Sequence, residues 1–169
     1  MNPRRPVIHN LERSNLDLAL EAVAFIGLVF LIGLSIYYYS RLPASIATHF
    51  NFKGEPDGWG NKSTLFLMPV LCVILYTGLT VLSRFPHVFN YPWTITESNA
   101  RRQYAIARQL LSAVKVTLVI TLSYVSWAMI QTATGNQNGL SPRFLMLESP
   151  VLFAVIGFYF FQAKKAQNS

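Results

Sequence analysis

Long apolar runs dominate the sequence, and they limit what the chain can become more than any other feature does. The first run, Ala22 to Tyr39, contains no charged residue, and about 20 apolar residues of helix suffice to cross a bilayer core. Of the 169 residues, 52% are hydrophobic and 12% are charged, and the charges cluster between the runs. We therefore predict an all-α integral membrane protein, a single membrane domain over residues 1–169. Its bundle of about four transmembrane helices is predicted at residues 20–39, 65–83, 109–131 and 145–163, with an ordered extracytoplasmic loop at 40–64.

The first apolar run has a second interpretation as a secretory signal peptide that is cleaved near Ala47. The run is long and bulky, however, and it ends in Tyr37, Tyr38 and Tyr39, which resemble an interfacial aromatic belt. These features favour an uncleaved helix.

The third helix is predicted to begin outside the membrane. Thr94 and Glu97 have the spacing of a capping box, and the polar helix that follows leads into the apolar run from Val116 to Ile130. The fourth helix has the weakest pattern because Glu148 and Pro150 interrupt its start.

The distribution of Lys and Arg predicts the orientation. Basic residues precede the first span, are frequent between the second and third, and follow the fourth. By the positive-inside rule, both termini are then cytoplasmic and loop 40–64 faces outward. The net charge of +7 is explained by this sorting, so we expect the bilayer rather than nucleic acid as the partner.

Loop 40–64 is denser in polar and turn-forming residues than a connector requires. We expect it to form a compact cap with a structural or ligand-binding motif. His49, Asn51 and Asp57 also suit a metal site or a base with its orienting carboxylate. Their spacing leaves open whether a metal binds. The motif residues are His49, Asn51, Gly54, Asp57, Trp59 and Lys62.

Charged residues at membrane depth need a partner, a wet cavity or a route to the interface. Lys115 is predicted either to pair with Glu21 inside the membrane or to snorkel. Glu148 is a possible outer-side partner of His49 and Asp57. Its alternative role is to occupy the N-terminus of the fourth helix, where the helix dipole favours a carboxylate.

The loop also resembles a known family signature. The pattern reads Leu42-Pro43-x-x-Ile46-x-x-His49-Phe50-Asn51-x-x-Gly54-x-x-Asp57-x-Trp59-x-x-Lys62. It is similar to that of bacterial domain-of-unknown-function family 1648, the SdpI-like multi-pass membrane proteins. A second stretch, from Phe89-Asn90-Tyr91-Pro92 to Lys115, is similar as well. The resemblance implies an outward-facing motif in the bacterial cytoplasmic (inner) membrane and a binding, immunity or signalling role.

Three functional interpretations follow. The first is a component that binds an extracellular peptide or small molecule at the loop and contacts a protein partner in the membrane, with Arg101, Arg102 and Arg108 as a partner surface or an anionic-lipid site. The second is an accessory or structural subunit of a larger membrane complex. The third, a membrane enzyme using His49 and Asp57 with Glu148 as a third candidate, has little support because no paired catalytic motif accompanies them. We therefore predict no catalytic residue and no cofactor.

Overall fold

The computed structural model describes residues 5–8 and 10–167. Arg4, which contributes to the charge pattern above, lies outside them. Four long helices are present: α1 (Asn15–Tyr39), α2 (Leu67–Leu82), α3 (Glu97–Ala133) and α4 (Pro142–Lys165). Two short 3-10 helices, Lys62–Phe66 and Pro86–Val88, lie at the two ends of α2. All four long helices, the second with its preceding 3-10 turn, are long and apolar enough to cross a membrane. The chain is a multi-pass membrane protein.

Helix α3 begins two residues later than the capping pattern predicts. The N-cap is Thr96, whose Oγ1 accepts a hydrogen bond from Asn99 N, while Asn99 Oδ1 accepts one from Thr96 N at 3.0 Å. Thr94 is therefore not the N-cap, and Glu97 is the first helical residue. The Asn99 amide nitrogen also donates to Thr94 O at 3.3 Å, which fixes the segment that leads into the helix. Asn99, rather than Glu97, is therefore the reciprocal residue of the capping box.

Helix α3 is the centre of the bundle, because it contacts each of the other three long helices. The distribution of side chains is the reverse of that in a water-soluble bundle. Large apolar residues such as Phe25, Ile26 and Phe153 are exposed, whereas polar ones such as Lys115 and Ser126 are buried. This arrangement suits a lipid exterior, where apolar side chains need no protein cover.

A small β-hairpin connects α1 to α2, so the all-α prediction is wrong in this segment. Strand β1 (Ser45–Phe50) pairs antiparallel with β2 (Pro56–Asn61). A two-stranded hairpin is marginal alone in water, but Ile46 of β1 is fully buried against the ends of the helices, in a cluster with Leu34, Met129 and Ile130. Packing on the bundle therefore stabilises the hairpin, although the Gly and Pro content of β2 gives that strand little intrinsic propensity.

The first described residues and the last turns of α4 contact the first turns of α3. Tyr104 Oη donates to Pro6 O at 2.9 Å, and Gln103 Nε2 donates to Ala163 O near the end of α4 at 2.7 Å. The hairpin packs against Met129 and Ile130 at the other end of α3. The two terminal segments thus lie at one end of the bundle and the hairpin at the opposite end.

Candidate functional site

The motif histidine and aspartate are brought together by an irregularity in the hairpin. His49 pairs with Gly58 and Phe50 pairs with Pro56, so Asp57 is an extra residue in β2. This bulge leads to a distance of 2.5 Å between His49 Nδ1 and Asp57 Oδ1. A carboxylate only accepts hydrogen bonds, so the contact places the imidazole proton on Nδ1. Nε2 then has no hydrogen bond within the described part of the chain.

This pair is exposed. The side chains of His49 and Asp57 are 72% and 43% accessible. Trp59 is 59% accessible, and it lies two residues after Asp57 in β2. We call these three residues the outer face of the hairpin. It combines an aromatic ring with a polar pair, and both are exposed.

The motif asparagine shapes the turn of the hairpin. Asn51 Oδ1 accepts hydrogen bonds from Lys53 N at 2.9 Å and from Glu55 N at 3.0 Å. Its amide nitrogen donates to Glu55 Oε2 at 3.0 Å. An asparagine that holds two following backbone N–H groups fixes a tight turn. Asn51 therefore has a structural role that explains its place in the motif.

Gly54 anchors that turn to the loop between α3 and α4. Its φ is +83°, a conformation that favours glycine, and its carbonyl accepts a hydrogen bond from Leu140 N at 2.8 Å. Gly139 lies against the same carbonyl with φ of +101°. Sequence reasoning identified Gly54 but missed Gly139, whose Asn-Gly pair was the only local signal.

Lys62 closes the base of the hairpin. Its Nζ donates to Leu42 O at 3.3 Å and lies 4.9 Å from the centroid of the Tyr39 ring. A cation placed over an aromatic face is attracted by the ring quadrupole. Lys62 thus ties the end of α1 to the start of the 3-10 helix and is accounted for by structure.

Glu148 does not join the outer face. It lies in α4, where it accepts a hydrogen bond from Thr121 Oγ1 of α3 at 2.7 Å. Nor do the described residues include any group of three or more His, Cys, Asp or Glu side chains that could hold a metal ion. The outer face therefore consists of two polar side chains and one aromatic side chain, without a third metal ligand.

A second polar cluster lies in the interior near the other end of the bundle. Lys115 Nζ contacts Glu21 Oε2, and it donates to Thr80 Oγ1 at 3.0 Å. Tyr76 Oη donates to the other oxygen of Glu21 at 2.5 Å. The structure thus places Lys115 and Glu21 together, bridging α1, α2 and α3. Each charge in this cluster is compensated within the bundle, as burial in a low-dielectric interior requires.

Arg108 forms a second ion pair that sequence reasoning missed. Its Nη2 lies 3.0 Å from Asp17 Oδ2, and its Nη1 donates to Leu11 O at 2.9 Å. The residue is only 8% exposed, so the predicted role of Arg108 in a partner or lipid surface is wrong. Arg101 and Arg102 are exposed. The spacing of Ser14 and Asp17, a capping box in α1, was the signal that a carboxylate lies at this end.

Comparison with known families finds a match near the N-terminal end of the chain. Residues 26–73 match the profile of a family described as domain of unknown function (DUF1648). We call these residues the DUF1648 segment, after the family to which they are similar. The resemblance to this family is confirmed. The DUF1648 segment extends from the middle of α1 through the whole hairpin into α2.

One curated protein, from Archaeoglobus fulgidus, is similar over a longer stretch. It is described as an uncharacterized protein and is 25% identical over 130 residues, which cover 70% of this chain and 66% of the relative. The chain thus spans about two thirds of that relative. No solved structure matches. The outer face lies wholly within the DUF1648 segment, whereas Arg108 and Lys115 lie beyond it.

Proposed function

We propose that this membrane protein binds an extracytoplasmic peptide or small molecule at the outer face of its hairpin, as an immunity or signalling component. The observation that carries the proposal is the division of the DUF1648 motif into two groups. Asn51, Gly54 and Lys62 have structural partners. His49 and Asp57 are bonded to each other yet remain exposed.

The exposed group contributes little to folding. A solvent-exposed ion pair is worth about 0–1 kcal/mol, and an exposed Trp59 gains little from burial. Tryptophan beside hydrogen-bonding side chains is, by contrast, typical of binding surfaces, because the ring offers a large rigid contact area. A ligand that fits would place an apolar group on Trp59 and a hydrogen-bonding group at His49 Nε2.

The proposal places the protein in the bacterial cytoplasmic membrane with both termini inside the cell. Two observations support this orientation. The terminal segments share one end of the bundle, and that end carries the exposed Arg101 and Arg102, as positive-inside sorting requires. The hairpin then faces outward, where a secreted or environmental ligand is accessible.

Photo-crosslinking in native membranes tests the proposal. A benzoylphenylalanine in place of Ser45, an exposed residue of β1, should capture a defined ligand that mass spectrometry identifies. The adduct should disappear when Asp57→Asn is added and persist with Lys53→Ala, an exposed charge on the same hairpin. The same probe at exposed Ser98, at the opposite end, is the control.

Two outcomes would contradict the proposal. If the probe at Ser45 captures nothing that depends on Asp57, the outer face does not bind a ligand. If it captures a larger membrane protein in fixed stoichiometry, with and without Asp57→Asn, the accessory-subunit interpretation is favoured instead.

A further inference from the structure

An apolar cavity lies at the end of the bundle opposite the hairpin. It has a volume of about 200 Å³ and lies between α3, α4 and the segment from Phe89 to Trp93. Its walls are mostly apolar side chains, including Leu110, Ile156 and Phe160. Nothing in the proposed function uses this cavity.

Two polar atoms of residues that line the cavity are buried without a partner. Gln103 Oε1 and Trp93 Nε1 have no hydrogen bond within the described part of the chain. Gln103 is fully buried, and its amide nitrogen is already used by Ala163 O. A buried acceptor or donor left unpaired is costly, so one acceptor and one donor among the residues that line the cavity favour a ligand with both functions.

The polar and apolar parts of the cavity are separated along the bundle axis. Gln103 lies beside Ala163, and Leu110 and Ile156 are each seven residues further into the bundle, since α3 and α4 run antiparallel. Seven helical residues correspond to about 10 Å. Gln103 is therefore at the rim of the cavity, and the apolar wall extends toward the membrane interior.

The depth of this rim matches lipid headgroups. The hairpin covers α3 at Ile130, and a hydrocarbon core of roughly 30 Å takes about 20 helical residues. Counting back from Ile130 places Leu110 near the opposite edge of the core and Gln103 about 10 Å beyond it, in the headgroup layer.

One cationic side chain and several aromatic side chains lie near the rim. A polar cavity of about 390 Å³ shares Tyr91 and Trp93 with the apolar cavity and is lined also by Arg5. Arg5 lies 5.4 Å from the Tyr91 ring centroid. Burial raises the pKa of Tyr91, which keeps its hydroxyl protonated as the donor to Pro86 O. The available charge at the rim is thus positive and favours an anionic headgroup.

We propose that this cavity binds one anionic glycerophospholipid with a hydroxylated headgroup, of the phosphatidylglycerol type. An ester carbonyl accepts from Trp93 Nε1, a headgroup hydroxyl donates to Gln103 Oε1, and the phosphate lies toward Arg5. The upper part of one acyl chain fills the cavity along Leu110 and Ile156, and the remainder of the lipid stays in the bilayer.

Native mass spectrometry of the full chain tests this site. The delipidated protein in detergent is titrated with phosphatidylglycerol or phosphatidylcholine of identical acyl chains. We expect one tightly held phosphatidylglycerol and weaker phosphatidylcholine adducts. Trp93→Phe removes only the N–H group and should weaken the phosphatidylglycerol adduct about three- to tenfold, the loss of one hydrogen bond. Trp127→Phe, on α3 near the hairpin end, is the matched control.

A second variant addresses the cavity itself. Ala107→Phe fills the space that Ala107 lines and should abolish the single adduct, while thermal unfolding of the lipid-free variant confirms that it is folded. Trp93→Phe should also leave the lipid-free melting temperature unchanged or higher, because it removes an unpaired buried donor, and should reduce the rise that phosphatidylglycerol causes. Equal retention of both lipids, or equal retention by Trp93→Phe and Trp127→Phe, would overturn the proposal. So would retention of no lipid, which would mean that water or detergent occupies the cavity.

Discussion

The backbones of Gly54 and Gly139 meet so closely that neither position has room for a side chain. A Cβ on Gly139 would lie 2.0 Å from Gly54 O, and a Cβ on Gly54 would lie 2.3 Å from Leu140 O. Both glycines have positive φ. This contact joins the turn of the hairpin to the loop between α3 and α4, so it determines where the outer face lies relative to the bundle.

Replacing Gly139 with alanine should detach the hairpin turn. The left-handed conformation disfavours alanine, and the clash with Gly54 O adds to that cost, so we expect a loss of about 1–3 kcal/mol. Gly157→Ala is the control, because a Cβ added at Gly157 meets nothing within 4 Å. It should be neutral or slightly stabilising. Thermal unfolding in detergent measures both. Equal melting temperatures for the two variants would contradict a role for the glycine contact.

Substitutions of the exposed motif residues and of the structural motif residues should differ in their effect on the free energy of unfolding. Asp57→Asn should change the free energy of unfolding by less than about 1 kcal/mol, because the His49 pair is exposed. Asn51→Ala removes the acceptor of two backbone N–H groups and should cost more than Asp57→Asn. Chemical unfolding of purified protein compares them. A larger loss for Asp57→Asn would make the exposed pair structural and weaken the proposed ligand site.

Breaking the interior ion pair should be severe. Lys115→Met leaves Glu21 with an uncompensated charge beside Tyr76, and removal of one partner of a buried pair typically costs about 3–5 kcal/mol. The double variant Glu21→Gln with Lys115→Met should recover part of that loss. Unfolding of both single variants and the double variant in mild detergent gives the coupling energy. A coupling near zero would show that Lys115 is stabilised by Thr80 or by snorkelling instead.

Arg108 should hold the N-terminal segment against the bundle. It donates to the carbonyls of Leu11 and Glu12 and pairs with Asp17. Arg108→Gln should therefore increase hydrogen exchange in residues 10–14, whereas Arg101→Gln, an exposed arginine on the same helix, should not. Mass spectrometry measures the exchange. If residues 10–14 exchange at the same rate in both variants and in the unsubstituted chain, Arg108 does not have this role.

The orientation can be tested with single cysteines. Cys72, buried in α2, is first replaced by serine. Lys53→Cys on the hairpin should then react with an impermeant maleimide on intact cells, and Ser98→Cys at the other end should react only after lysis. Labelling of Ser98→Cys on intact cells would reverse the proposed topology.

The helices were predictable because lipid imposes a simple requirement on them. Any segment that crosses a bilayer must be apolar and long, so the run from Ala22 to Tyr39 predicts most of α1 without knowledge of its neighbours. The observed N-cap of α3 lies two residues after the predicted one. Both Thr94 and Thr96 are suitable caps, and local spacing does not distinguish them. Only the reciprocal hydrogen bonds of Asn99 do.

The hairpin and the ion pair of Arg108 were not predictable in the same way. Ile46 and Ala47 are buried in succession, so β1 lacks the alternation that marks a strand, and its stability comes from α1 and α3. Asp17 and Arg108 are 91 residues apart, and nothing local connects them. Motif spacing identified His49 and Asp57. It did not predict their contact, which depends on the bulge in β2.

Both interior ion pairs join α1 to α3, and this has a consequence for how the protein is made. Asp17 and Glu21 emerge from the ribosome with the first helix, whereas Arg108 and Lys115 follow roughly 90 residues later. Until the third helix arrives, Glu21 lacks the Lys115 ammonium that compensates it in the complete bundle, and an uncompensated charge at membrane depth is expensive. We therefore expect the start of the first helix to reach its final position only when the third helix arrives. Biogenesis of this bundle is therefore expected to be a late, concerted assembly rather than a stepwise insertion of independent helices.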